Sequence, residues 1–186
     1  KEGILWSDGT PFTAEDVAFT YEFISNPEVA SNTAGTYETI ESVEALDDTT
    51  VQITFTEPNP AWYLVFTGTQ GMVLPKHMFE EYNGANGREA PANTMPVGTG
   101  PYRVVDFTPG DVVVYEANPN YRDADALAFS RVELKGGGDA TSAARAVLQT
   151  GDVDYAYNLQ VEANILEQLS EAGQGEVVAN FGSLIE

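Results

Sequence analysis

The sequence predicts a mixed α and β chain (α/β), and three observations carry that expectation. A turn and a helix start lie within Trp6 to Val17, strict apolar/polar alternation runs through residues 50–56, and strand-like and helix-like stretches alternate over 131–181. The opening stretch is the most informative. Asp8-Gly9 is a turn pair, in which glycine takes a positive φ at no steric cost. Pro11 biases Thr10 away from helix, and Thr13 then stands as N-cap. Glu15 and Asp16 suit the positive end of the helix dipole, and Thr13 and Asp16 have the spacing of a capping box. Val17, Thr20, Tyr21 and Ile24 share one face of the helix that follows.

Ser25-Asn26-Pro27 ends that helix, and 26–38 reads as loop. Residues 40–46 and 50–56 form a hairpin around Asp47-Asp48-Thr49, with Val51, Ile53 and Phe55 alternating with Gln52 and Thr54. Pro58 and Pro60 stop the second strand, 61–66 reads as a short buried apolar helix, and 67–72 as a glycine-punctuated loop. A short helix follows Pro75. Residues 83–96, with Asn83-Gly84, Asn86-Gly87, Pro91 and Pro96, are punctuated like a surface connection and mark the expected boundary between 1–90 and 91–186. Beyond it, 101–107 and 111–117 read as strands around Thr108-Pro109-Gly110, and 131–135 as a third. Helix over 141–149, strand over 153–157, helix over 161–172 and strand over 177–181 together imply βαβ units.

A chain of 186 residues holds one or two domains, and 42% hydrophobic residues support a real core. No apolar run reaches the roughly 18–20 residues of a membrane span, so no direct membrane insertion is expected. Lys1-Glu2-Gly3 leads straight into an apparent strand without a leader, which reads as a fragment or processed piece. Twenty-nine acidic residues face eight basic ones, for a net charge of −21. Such a chain repels nucleic acid and anionic membranes. The carboxylates are scattered, which fits either adaptation to high salt or an ordinary acidic extracytoplasmic protein. Zero cysteines remove disulfides, thiolate metal sites and thiol nucleophiles.

No motif supports catalysis, a cofactor or a metal. Gly98-Thr99-Gly100 precedes a strand rather than a helix, so it reads as a turn or hinge and not as a nucleotide fingerprint. His77 is the single histidine and reads as solvent-facing or capping. Asp47-Asp48 sits on a hairpin tip, and Asp123 with Asp125 lacks calcium-loop spacing.

Read literally, the string Trp6-Ser7-Asp8-Gly9-Thr10-Pro11-Phe12-Thr13-Ala14-Glu15-Asp16-Val17 resembles a segment of the peptide- and nickel-binding family (family 5) of ABC-importer solute-binding proteins. Four further landmarks follow in order. Val43-Glu44-Ala45-Leu46-Asp47-Asp48-Thr49-Thr50-Val51 resembles the family's hairpin, and Pro96-Val97-Gly98-Thr99-Gly100-Pro101-Tyr102 its glycine segment. Ala117-Asn118-Pro119-Asn120-Tyr121 is similar to a third, with Arg122 where tryptophan is usual. Residues 139–144 with Leu148-Gln149-Thr150-Gly151-Asp152-Val153-Asp154 are similar to a fourth.

The resemblance implies a fold like the type II periplasmic binding proteins, of which this chain is a partial first lobe. Residues 1–90 would be an accessory α+β subdomain and 91–186 part of the ligand-binding lobe. It implies a periplasmic or extracellular receptor that closes two lobes over a small solute, with peptide as the leading solute, and delivers it to the permease subunits of an ABC importer. Oligosaccharide or nickel chelate binding, or a sensory or adhesive module without transport, are the alternatives. By resemblance Tyr37 and the loop carrying Thr69, Gln70 and Gly71 approach the interlobe cleft, and so does the turn carrying Asn158 and Gln160. Tyr37 would supply a flat apolar wall with a polar tip, and Asn158 and Gln160 hydrogen bonds of either sense.

Overall fold

The opening turn fixes the geometry of everything packed on it. In the computed structural model, which describes residues 1–68, 71–136, 138–157, 160–171 and 174–178, the chain divides into two units, 1–135 and 136–186. At the head of the first unit the Trp6 amide donates to the Thr10 carbonyl and the Gly9 amide to the Trp6 carbonyl (2.8 and 2.9 Å). Gly9 sits at φ 92°, where a side chain would be strained. Helix α1 (Ala14–Ser25) follows, its first turn tied back by the Thr13 amide donating to the Asp16 carboxylate at 2.9 Å.

Helix α1 separates two cores. Phe19 and Phe23 pack with Phe79, Ala90 and Ala92; Ile24 packs with Tyr37, Ile40 and Val65. Each buried aromatic or branched side chain contributes about 1.5–3 kcal/mol. The expected single face of Val17, Thr20, Tyr21 and Ile24 is therefore only part of the buried surface: Val17 and Tyr21 are half-exposed, while Phe19 and Phe23 are buried. A helix covered from two sides does not advertise one stripe.

Strands β1 (Ile40–Asp47) and β2 (Thr50–Phe55) form the expected antiparallel hairpin, with Val43 opposite Ile53 and Ala45 opposite Val51. Its tip is held by the Asp47 carboxylate, which accepts from the Thr49 amide at 2.8 Å. Residues 61–66 depart from expectation. Only Trp62–Leu64 forms a turn of 3₁₀ helix, and those three side chains are 59, 55 and 53% exposed. An apolar run carries no information about whether a partner covers it.

After the short helix α2 (Lys76–Phe79), residues 83–96 fold as single helical turns, and Ala90 and Ala92 are buried against the phenylalanines of α1 and α2. The division of the chain falls after Lys135 rather than in this segment. The sheet beyond it, β3 (Tyr102–Thr108), β4 (Val112–Ala117) and β5 (Arg131–Lys135), is antiparallel with β4 central. It is tied to the opening turn within the same unit. The Ser7 amide donates to the Gly98 carbonyl at 2.9 Å, and the Asn120 side chain to the Trp6 carbonyl at 3.1 Å. Gly98 is thus a turn residue serving the scaffold. Asn118, fully buried, donates to the Gly100 carbonyl and accepts from the Asn120 amide.

In the second unit α3 (Ala140–Arg145) starts at Asp139, whose carboxylate accepts from the Ser142 amide at 2.9 Å. It widens into a π turn (Ala146–Thr150) and stops at Gly151, φ 68°. Helix α4 (Ala163–Ser170) closes a small core of Ala144, Leu148 and Leu169. None of the described residues of this unit is in a strand. Among the described residues of 131–181 no βαβ unit forms: β5 pairs antiparallel with β4, and 153–157 is irregular. A strand needs a neighbour to take its backbone hydrogen bonds, and period alone does not supply one. Of the strand expected at 177–181, residues 177 and 178 are irregular and the rest lie outside the described residues.

Candidate functional site

Two separate regions hold the side chains expected to meet a solute. In the first unit, the turn of 3₁₀ helix Ala34–Tyr37 delivers Tyr37 into the second core. Tyr37 is 2% exposed, and its ring lies 5.5 Å from that of Phe66, edge-on, and 6.3 Å from that of Tyr21. Its ring is a packing group rather than a wall facing solvent, because Ile24, Ile40 and Val65 enclose it. Burial pushes the Tyr37 hydroxyl above the usual phenol range, so it stays protonated. That hydroxyl is buried and has no hydrogen-bond partner among the described residues.

Thr69 and Gln70 lie outside the described residues. Gly71 is buried, and the reason it is glycine is steric. A β-carbon there would run into the Thr67 amide nitrogen and come within 2.7 Å of the Phe66 carbonyl carbon and the Val65 carbonyl oxygen. The backbone folds back on itself at this point, leaving no room for a side chain. Flanking the loop, Met72 is 63% exposed.

The first unit also carries a groove the sequence did not announce. The half-buried residues Val51, Ile53 and Phe55 of β2 and Pro58, Asn59 and Trp62 line an open concavity of ≈ 600 Å³. It includes Trp62, whose exposure, like that of Tyr63 and Leu64, the apolar composition alone read as burial.

In the second unit, Asn158 lies outside the described residues and Gln160 is exposed, just ahead of α4. Two aromatic residues that sequence reasoning assigned to a strand stand nearby in the chain. Tyr155 and Tyr157 are 72 and 80% exposed, with ring centroids 6.5 Å apart and planes 32° apart. The signal was present as large rings alternating with small or acidic residues, and periodicity absorbed it.

The chemistry on offer is hydrogen bonding and apolar contact. Among the described residues no group of three or more His, Asp or Glu is placed to hold a metal ion. No described helix is long and apolar enough to cross a membrane. His77 is occupied: its Nε2 lies 2.7 Å from the Asp8 carboxylate. Burial raises the Asp8 carboxyl, but the Thr10 amide and His77 together outweigh it, and the group settles below the ordinary carboxylate range. The pair staples the opening turn to α2.

Comparison with known proteins gives a consistent result. The family profile for bacterial extracellular solute-binding proteins, family 5, middle part, matches residues 1–182. A Brucella ovis protein named as an ABC transporter peptide-binding protein is 30% identical over 174 residues, covering 93% of this chain and 32% of its own. The oligopeptide-binding protein AppA of Bacillus subtilis, solved with a nonapeptide, is similar at TM-score 0.74 and 28% identity, over 82% of this chain and 30% of its own. NikZ of Campylobacter jejuni, solved with Ni(L-His), is similar at TM-score 0.71 and 34% identity, over 82% and 29%. The chain spans about a third of the length of these relatives.

Proposed function

Because the chain belongs to family 5 of the bacterial extracellular solute-binding proteins and carries part of the type II periplasmic-binding-protein fold, we propose that it is a segment of a peptide receptor serving an ABC importer. In this reading the full-length receptor, periplasmic or extracellular, closes its lobes over a peptide, and the closed form is what the permease subunits recognise. Catalysis has no part in it. The observation that carries the reading is the match over residues 1–182, joined to likeness with a structure that holds a nonapeptide.

Within that receptor, Thr69, Gln70, Asn158 and Gln160 are proposed as solute contacts, since amide and hydroxyl side chains donate and accept alike. Gly71 and Tyr37 are both buried in the first unit, so they are proposed to shape the loop and the wall behind those contacts. Contacts of this kind, helped by ordered water, suit ligands of variable side chains. The C. jejuni likeness at 34% identity gives a second reading, a nickel chelate, in which the chelate's own ligands do the metal binding.

Calorimetric titration of the full-length receptor with a pool of di- to pentapeptides, and separately with nickel–histidine, tests this. Heat from peptides supports the proposal. Silence from peptides with heat from nickel–histidine replaces it by the second reading, and silence from both removes each.

A further inference from the structure

Tyr155 and Tyr157 are the two most exposed aromatic side chains among the described residues, at 72 and 80%. Rings left in water at this degree, side by side, mark a surface that something else covers. Their neighbours narrow down what. Asp152 and Asp154 lie in the same irregular stretch, both exposed, and neither is paired with a cation among the described residues. Arg145 is the single basic residue between positions 136 and 186.

An apolar occupant of the rings would have nothing to offer the two exposed carboxylates in the same stretch. An acidic occupant would be repelled. A cation meets both features. The negative face of each ring attracts it, the carboxylates add Coulomb attraction, and the net charge of −21 steers it in from a distance. The geometry also sets how it binds. At 6.5 Å between centroids and 32° between planes the rings form a shallow V. A flat group held between both faces needs about 7 Å, twice the carbon contact distance. The charge therefore sits over an outer ring face, reached by a flexible stem.

We propose that Tyr155 and Tyr157 receive the side chain of a lysine or arginine, and that the receptor's preferred solutes are cationic peptides. This rests on the peptide-receptor reading and adds a charge preference to it.

The test is calorimetric titration of the full-length receptor with three pentapeptides differing only in a central Lys, Gln or Glu. The expected order is Lys, then Gln, then Glu, with Lys ahead of Gln by about tenfold at low salt. That lead should shrink towards about threefold in about 0.5 M NaCl, where exposed charges are screened. The paired variant Tyr155→Leu/Tyr157→Leu keeps the apolar bulk and should abolish the lead of Lys over Gln. Asp152→Asn/Asp154→Asn should remove its salt-dependent share.

Equal affinity for all three peptides, or a Lys lead that survives in the leucine pair, overturns the charge preference and leaves the peptide receptor standing. Binding of none of them by the wild type overturns both. Binding of a free polyamine in place of all three peptides keeps the cationic surface but removes the peptide, and so also counts against the proposal.

Discussion

Replacing Asp16 by alanine should come close to unfolding the first unit. The Asp16 side chain is 4% exposed and accepts three hydrogen bonds, from the Trp6 indole at 3.3 Å, the Thr13 amide at 2.9 Å and the Lys76 amide at 2.9 Å. Two of the donors are backbone groups, and they come from the opening turn, the N-cap and the start of α2. Alanine leaves all three without a partner at once. Each buried donor left unpaired costs about 1–3 kcal/mol. Water can reach the part-buried backbone amides, so the loss should fall in the lower half of the summed range, about 3–5 kcal/mol. That is a large share of the roughly 5–15 kcal/mol of a typical domain. Asparagine is the informative control. Asp16 Oδ2 takes two of the bonds and Oδ1 the third, so an amide oriented to keep the first two points its NH₂ at the Lys76 amide. Asp16→Asn should therefore lose about 1–3 kcal/mol, between wild type and alanine.

The assay is urea unfolding followed by Trp6 fluorescence, with Trp62 changed to Phe in every background so that Trp6 reports alone. A fall in midpoint at unchanged slope reads as lost stability. An alanine variant within about 0.5 kcal/mol of wild type would refute the reasoning, because surface substitutions stay within that band.

Four other outcomes follow from the same geometry. Tyr37→Phe removes a buried hydroxyl that has no partner among the described residues, so thermal unfolding should show it neutral or more stable by about 1 kcal/mol; a clear loss would mean the hydroxyl is bonded. Gly71→Ala forces a β-carbon onto the 65–67 backbone and should cost about 1–3 kcal/mol by denaturant midpoint, whereas an unchanged midpoint would mean the loop relaxes freely. The lowered Asp8 carboxyl adds stability that is present above its unfolded value of about 3.9 and is lost as pH falls through its folded value. The gap in midpoint between wild type and Asp8→Asn should therefore close in acid, and a gap independent of pH there would count against the assignment. A charge of −21 repels itself, so the unfolding temperature should rise by several degrees between about 0.1 and about 1 M KCl; a flat response would remove salt adaptation as an explanation of the acidity.

What the sequence made legible was local. Asp8, Gly9, Pro11 and Thr13 act on backbone within a few residues of themselves, so the opening turn and the start of α1 could be placed before any contact was known. The two hairpins were readable for the same reason, since Asp47 and Gly110 set turns by local bonding and by a φ of 80°. Asp16 shows the limit. Its capping role follows from spacing, but its bonds to Trp6 and Lys76 span 10 and 60 positions, and nothing in the string pairs those residues. Phe19 and Phe23 escaped the helical stripe because their partners at 79–92 come from a distant stretch.

The site suffered more, for a physical reason. Groups that meet a solute must stay unburied until it arrives, so the folding pattern of alternation and stripe does not mark them. Tyr155 and Tyr157 have the period of a strand and lie in none, and Trp62 to Leu64 have the composition of a core and lie at the surface. In both cases the string is read without a partner outside it: 153–157 as a strand from its period, and 61–66 as buried from its composition. Exposed aromatic residues that break a confident local pattern are therefore the first places to look for solute contact in this chain, and the leucine pair at 155 and 157 tests that rule directly.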